Sequence, residues 1–364
     1  MLSSLLSVTA GEVFTYIGYI LLALVALMVM IVIHESGHYL AGKLLGFKID
    51  EFAIGFGPAI FKRKNKKTGE LFTIRPLPLG GFCAFHGEDE DGKSDPQAFN
   101  NQKAWKRLIV LFSGALFNFL SAILIITIYF TAYGQILPVV RDSFAVNGVE
   151  NVFEKGDVLL AVNGRQINIM TQDDVDKIFS DVESGTEFKV LRDGKAVKIS
   201  VTVGDYVLSD EYLEEGEDAN KTGVGVVYGL SNVKLDFFRS LGRSFSFCFF
   251  IVFKILASIG ALLTGQIGLE SAGGTITVIK TMAEVTATGF GGFLYVVAII
   301  SANLAVMNLL PLPALDGSRM VFTLIEMIFR KPVPRKVEAV IHAVGLILLL
   351  ILAVFLDVFH LVKT

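Results

Sequence analysis

The sequence has 364 residues, 53% of them hydrophobic and 18% charged. Ordinary soluble domains carry about 25% charged residues, so a simple soluble globule is excluded. The net charge of −3 gives no global basic character, and a nucleic-acid partner is not expected. The two cysteines, Cys83 and Cys248, lie in segments of opposite polarity, which excludes a disulfide scaffold and a clustered thiolate metal site.

The first element in chain order is an apolar run over 14–40. About 20 apolar residues cross the hydrocarbon layer as a helix. No basic leader or small-residue cleavage pattern accompanies the run, so it reads as a retained span. Residues 41–107 are mixed. They hold a lysine cluster at Lys62–Lys67, glycine turns at Gly55–Gly57 and Gly80–Gly81, and the stretch GELFTIRPLPLGGF, read as short strands broken by prolines. Glu88–Asp91 reads as a solvated acidic loop. A second span is expected over 108–131 and a soluble insert over 134–230. A very apolar segment at 244–263 precedes glycine-rich 265–274. A third span, 290–312, closes in a proline-rich turn, and a last span covers 337–357.

Charge sets the expected orientation. Residues 41–107 hold 12 Lys/Arg and 8 Asp/Glu, whereas residues 131–235 hold 10 and 18. A Lys/Arg excess marks the cytoplasmic side, and the short basic stretch around Arg330, Lys331, Arg335 and Lys336 agrees. The expectation is an N-out, C-out chain with four spans and the insert outside. A full crossing at 244–263 would put the ends of the first and third spans on opposite faces, about 30 Å apart. That segment is therefore expected as an interfacial or partly re-entrant helix with Arg243 and Lys254 on its polar face. An ordinary fifth span is the alternative.

The first span ends in His34-Glu35-Ser36-Gly37-His38, an H-E-x-x-H pattern. Four residues are about one helical turn, so both histidines share a face and can bind one zinc ion. Glu35 is placed to take a proton from the attacking water and return it to the leaving amine. The chain has five histidines, and two stand at this spacing. Ionisable groups ending an apolar helix are costly and usually functional; solvated, idle boundary residues are the alternative.

A catalytic zinc usually takes three protein ligands, and no further histidine follows in Tyr39–Gly46. Asp316, in NLLPLPALDG, is the best candidate. Pro311 and Pro313 stop the helix, and Gly317 permits a close approach. A plain turn aspartate is the alternative. Asn118, Asn303 and Asn308 lie inside apolar runs. Amides there need partners, and either helix association or contact with substrate accounts for them.

Together these segments resemble the site-2 proteases, specifically the bacterial regulated intramembrane metalloproteases of the RseP type. The resemblance covers nearly the whole chain. It rests on HESGH with GKLLGF, EFAIGFGPAIF, RPLPLGGF, FNNQKAWKRLIVLFSGALFNF and SANLAVMNLLPLPALDGSRM. It implies Zn2+ held by His34, His38 and Asp316, with Glu35 as the catalytic carboxylate. It implies substrate contacts from Asn303 and Asn118, and from the β element containing Gly55 and Gly57, with a free strand edge expected at Phe52–Phe61 or Phe72–Pro76. The insert resembles a PDZ domain, with FEKGDVLLAVNGRQI as its central hairpin, a helix starting near Thr171 and a second hairpin turning at Asp193-Gly194.

The fold class implied is a polytopic α-helical membrane protein with four transmembrane helices, a small membrane-associated β region and an inserted extracytoplasmic PDZ domain. Its divisions are 1–48, the first transmembrane helix; 49–107, the cytoplasmic-side β region; 108–132, the second helix; 133–230, the PDZ domain; 231–289, an interfacial or re-entrant region; and 290–364, the third and fourth helices. The function implied is zinc-dependent hydrolysis of peptide bonds in or near transmembrane segments, in the lipid bilayer of a bacterial inner membrane. Single-pass proteins such as anti-sigma factors or remnant signal peptides are the expected substrates. Another site-2 protease branch and an idle PDZ-bearing scaffold are the alternatives.

Overall fold

The structure is a computed structural model that describes residues 10–88, 95–214, 216–269 and 272–363, with backbone alone at 10–13, 78–79 and 363. The acidic loop expected at Glu88–Asp91 lies, beyond Glu88, outside the described residues. The chain divides into two units, one of Met1–Ile126 with Ile251–Thr364 and one of Thr127–Phe250.

In the first unit, α1 (Ala10–Leu45) is a 36-residue helix. It stops at Gly46, whose φ of +80° supplies the left-handed residue that closes many helices. Four strands follow: β1 (Ile49–Phe56), β2 (Phe61–Lys64), β3 (Leu71–Ile74) and β4 (Leu77–Phe85). They form one sheet in the order β2-β3-β1-β4. β1 is parallel to β3 and antiparallel to β4, with Phe52 opposite Cys83 and Ile54 opposite Gly81. The edges expected at Phe52–Phe61 and Phe72–Pro76 are therefore not free, because β1 and β3 are both interior. The edges are β2 and β4. β2, Phe-Lys-Arg-Lys, is exposed throughout, and its charges disfavour pairing with another chain. β4 is the apolar edge, and it packs along α1.

α2 (Ala104–Ala132) leads into the second unit. There β5 (Gln135–Ser143), β6 (Val158–Val162) and β7 (Arg165–Gln166) precede α3 (Gln172–Phe179). The helix starts where expected, with Thr171 and Asp174 forming a reciprocal capping box. β8 (Glu187–Arg192) and β9 (Lys195–Ser200) form the hairpin expected at Asp193-Gly194. Both turn residues have positive φ, as a two-residue hairpin of this twist requires. β10 (Gly204–Val207) and β11 (Asn220–Gly223) form a separate ribbon, and β12 (Val226–Val233) closes the main sheet in the order β12-β5-β6-β8-β9, with β7 on β6. Leu137, Phe153, Leu159, Val175, Phe188 and Val190 fill its core.

α4 (Phe237–Leu263), α5 (Thr275–Ala287), α6 (Phe290–Leu309), α7 (Asp316–Phe329) and α8 (Arg335–Lys363) complete the chain. α5 packs on the middle of α1, where Met282 meets Ala23, Ala26 and Met30 beside Val296 and Val297 of α6. Its first turn is capped from α8: the Asp357 carboxylate accepts the Ile276 and Thr277 backbone N–H groups at 3.0 Å each.

Among the described residues five helices are long and apolar enough to cross a membrane, not four: Phe14–Leu45, Ala104–Ala132, Phe237–Leu263, Phe290–Leu309 and Arg335–Val362. The addition is α4, expected as interfacial or re-entrant. At 27 residues it is about 40 Å long. Arg243 does not form a polar face on it, because that side chain is buried at 6% exposure and bonded within the second unit. A crossing at α4 would make α6 the next crossing only if nothing stood between them. Between them stands α5, itself folded along α1, so the number of spans does not fix which ends meet. The chain is a multi-pass, mostly helical membrane protein with a β region that is not a barrel.

Candidate active site

His34 and His38 are each 7% exposed on the inner face of α1. Their Nε2 atoms lie 3.1 Å apart. The Asp316 Oδ2 atom stands 2.9 Å from His34 Nε2 and 3.2 Å from His38 Nε2. One atom from each residue thus falls within a 4.8 Å cluster able to hold a metal ion. Asp316 reaches this point because α6 ends at Leu309, the proline-rich turn is extended at Leu310, and α7 starts at Asp316 itself. Gly317 lets that first turn sit against the Leu309 and Leu310 carbonyls, where any Cβ would collide.

α2 supplies the floor of the site from one helical stripe, Val110, Gly114 and Asn118, spaced four residues apart. The Val110 carbonyl accepts from His38 Nδ1 at 2.8 Å, which leaves Nε2 with its lone pair directed at the cluster. The Asn118 and Asn308 amides lie 3.5 and 3.3 Å from His34 Nδ1. An amide offers donor or acceptor according to its rotation, and the Asn118 oxygen, buried without another partner, suits an Nδ1–H. Gly114 lies directly over both imidazoles, and a Cβ there would run into His34 and His38 Nε2. Gly37 of α1 is equally bare, because a Cβ would strike the Ser113 carbonyl. The close approach of α1 and α2 depends on both glycines.

Glu35 sits beside β4. Its carboxylate accepts the Cys83 backbone N–H, and its Cγ is within van der Waals reach of Gly81. The Phe85 N–H, two residues on, is taken by Glu88. Strand alternation then directs the Gly81, Cys83 and Phe85 amides away from β1, with Cys83 and Phe85 occupied and Gly81 at the open edge.

The structure brings His34, His38, Asp316, Glu35 and Asn118 together. Asn303 is exposed on α6, two turns beyond Val296 and outside the cluster that packs α6 against α1. Gly55 and Gly57 close the end of β1, with φ of +86° and +97°, and Gly57 O accepts from Arg75 at 2.7 Å. The sequence marks Asn308, with Asn118 and Asn303, as an amide in an apolar run and Gly80–Gly81 as a turn, but it assigns no part in the site to Gly114, Gly81 or the Val110 carbonyl. The Gly114–Asn118 spacing, equal to that of His34–His38, was the available signal for Gly114.

Two imidazole nitrogens and one carboxylate oxygen, with bare glycine above, fit a three-ligand metal set that leaves a coordination position open. Set beside a glutamate in apolar helices, they define a class, the membrane-embedded metallopeptidase. Sequence comparison narrows the class. Residues 22–352 match the model of peptidase family M50. Three bacterial relatives carry the name "Putative zinc metalloprotease". That of Fusobacterium nucleatum is 30% identical, covering 93% of this chain and 97% of the relative. Those of Clostridium perfringens, 31% identical over 93% and 97%, and Nostoc, 30% identical over 93% and 94%, are similar throughout. The chain belongs to peptidase family M50 and is a zinc-dependent intramembrane metalloendopeptidase of the site-2 protease, RseP-like kind.

Proposed function

We propose that the protein cuts single-pass membrane proteins within or beside their transmembrane segments, with His34, His38 and Asp316 holding Zn2+ and Glu35 as the catalytic carboxylate. The observation that carries this reading is the convergence of three ligand atoms from helices 282 residues apart in sequence, next to Glu35 and an open strand edge. When bound there, zinc supplies Lewis acidity to the water and the scissile carbonyl. Glu35 takes the proton of the attacking water and passes it to the leaving amine. The Val110 carbonyl and the Asn118 and Asn308 amides hold the imidazoles in their metal-binding tautomer.

A helical substrate keeps its carbonyls in internal hydrogen bonds, so it must be drawn out before attack. β4 supports β-addition of an extended substrate, with the Gly81 N–H donating to a substrate carbonyl beside Glu35. The exposed Asn303 amide is available to the other side of that strand, and Gly55 and Gly57 shape the sheet end that admits it. The 133–230 insert is read as an extracytoplasmic PDZ domain that filters or grips substrate, a reading supported by its sheet, capped helix and two hairpins. The active site is assigned to the cytoplasmic side of a bacterial inner membrane, from the basic excess of residues 41–107. Anti-sigma factors and remnant signal peptides have the required form.

The test is purified protein in detergent with a single-pass substrate, measuring bound zinc and cleavage. Glu35→Gln is expected to keep about one zinc per chain and lose cleavage, and Asp316→Ala to lose both. Full cleavage by Glu35→Gln sinks the assignment.

A further inference from the structure

Arg243 is a buried cation with no carboxylate partner among the described residues. It is 6% exposed. It donates from Nε to Gln135 Oε1 at 2.5 Å, from Nη1 to the Leu160 carbonyl at 3.0 Å and from Nη2 to the Ile167 carbonyl at 2.6 Å. These bonds satisfy three of the five guanidinium donors. They do not neutralise the charge, which an arginine keeps even when buried, and a buried charge without a counter-ion is costly.

The side chain lines a cavity of about 230 Å³ that it shares with Lys189 and Arg239, and no acidic residue lines it. Arg239 is held by Asp236 at 3.2 Å. Lys189 has no ion pair among the described residues. Two positive charges therefore face the cavity uncompensated. Its other walls include Leu160, Ala161, Ala196 and Leu235, which suit short aliphatic groups rather than a solvated ion. The cavity adjoins the first two turns of α4, where Phe238, Leu241 and Phe245 are exposed on a helix apolar enough to enter a bilayer.

We propose that this cavity binds the phosphate of an anionic phospholipid headgroup. The phosphate sits between Arg243 and Lys189, the glycerol lies along the aliphatic wall, and the acyl chains follow the exposed phenylalanines of α4. Cationic residues beside a membrane helix draw anionic lipid in this way. The site lies in the second unit and uses none of the residues assigned to metal or proton transfer.

The experiment uses the full chain in neutral detergent, with lipid adducts counted by native mass spectrometry after titration with phosphatidylglycerol or with phosphatidylcholine of the same acyl chains. The wild type is expected to retain one phosphatidylglycerol in preference to phosphatidylcholine. Lys189→Ala should weaken retention about 5-fold, the effect of one basic group near an anionic headgroup. Arg243 also ties α4 to the sheet, so the cavity is closed instead with Gly242→Leu. A Cβ at Gly242 meets nothing within 4 Å, and this variant should lose the adduct with its circular dichroism and zinc content unchanged. Equal retention of the two lipids overturns the proposal, as does undiminished phosphatidylglycerol in both variants. Complete displacement by millimolar inorganic phosphate assigns the cavity to a soluble anion and also overturns it.

Discussion

Arg319 on α7 and Glu88 just past β4 form an ion pair at 2.5 Å, with side chains 29% and 14% exposed. Arg319 follows Asp316 by three residues, nearly one turn, and Glu88 also accepts the Phe85 N–H of β4 at 3.1 Å. The pair joins the helix that carries the metal-directed carboxylate to the strand that flanks Glu35. Glu88→Gln leaves Arg319 without its counter-charge, at a cost on the order of 2 kcal/mol. Cleavage should fall several-fold, and zinc should dissociate faster because Asp316 loses its anchor. The double exchange Glu88→Arg with Arg319→Glu should recover part of both. Unchanged zinc release in Glu88→Gln would detach this pair from the site.

Gly114→Ala tests how tightly α2 closes over the histidines. Its methyl group falls on His34 and His38 Nε2. Bound zinc should drop well below one per chain, and cleavage should disappear. Gly18→Ala, at a position where a Cβ meets nothing within 4 Å, is the control and should behave as wild type. Both are read by metal analysis on folded, monodisperse samples.

The amides behind His34 should matter through the metal. Asn118 is 1% exposed and Asn308 only partly exposed, and both approach Nδ1. Loss of such outer partners typically costs about 10–100-fold in metal affinity or activity. Asn118→Ala and Asn308→Ala should each weaken zinc affinity in a competitive chelator titration. The double variant should lose less than the product of the two, since both serve one nitrogen. Strict independence would argue that the two amides act separately and not through one shared nitrogen.

How much of this was legible beforehand follows from the range of the interactions. The histidine pair, Glu35 and the Asp193-Gly194 hairpin depend on neighbours a few residues away and show in local spacing, whereas the helix start near Thr171 comes from the resemblance of the insert and its capping box from the fold. Asp316 was reachable because two prolines and a glycine punctuate its approach. The partners of Gly114, Gly81 and Val110 were not reachable, because a bare backbone atom gains its meaning only from what packs over it. The span count failed at α4 for a related reason. Arg243 reads as a polar face in one dimension, and only the fold turns it inward onto the Leu160 and Ile167 carbonyls.

His86 gives a pH dependence outside the membrane segments. Its pKa is raised, by hydrogen bonds to Asp50 and then to Asp95, at 2.9 and 2.8 Å. A raised folded-state pKa means that the stabilisation is complete below the ordinary histidine value, about 6.5. It is lost as pH climbs through the raised value. The His86 carbonyl also accepts the Phe99 N–H at 2.7 Å, so that amide is a local reporter. After correction for intrinsic exchange, Phe99 should exchange faster above the raised pKa than below it. His86→Gln should remove most of the difference. A flat profile in the wild type would show that the aspartates do not hold His86 charged.

Gly81→Ala separates the strand from the metal. Gly81 lies opposite Ile54 in β1, and a Cβ there would press on the Ala53 carbonyl and reach Glu35 Cγ at 3.6 Å. Relief of that contact must move β4 relative to β1 or push Glu35 aside. Neither shift touches His34, His38 or Asp316. The expected result is a full complement of zinc with cleavage reduced by about tenfold or more, since a misplacement near 1 Å at a reacting group costs on the order of a hundredfold. Zinc loss in Gly81→Ala would instead mean that β4 supports the metal ligands. Normal cleavage would mean that β4 does not present substrate to Glu35, and the extended substrate would have to be held elsewhere on the protein.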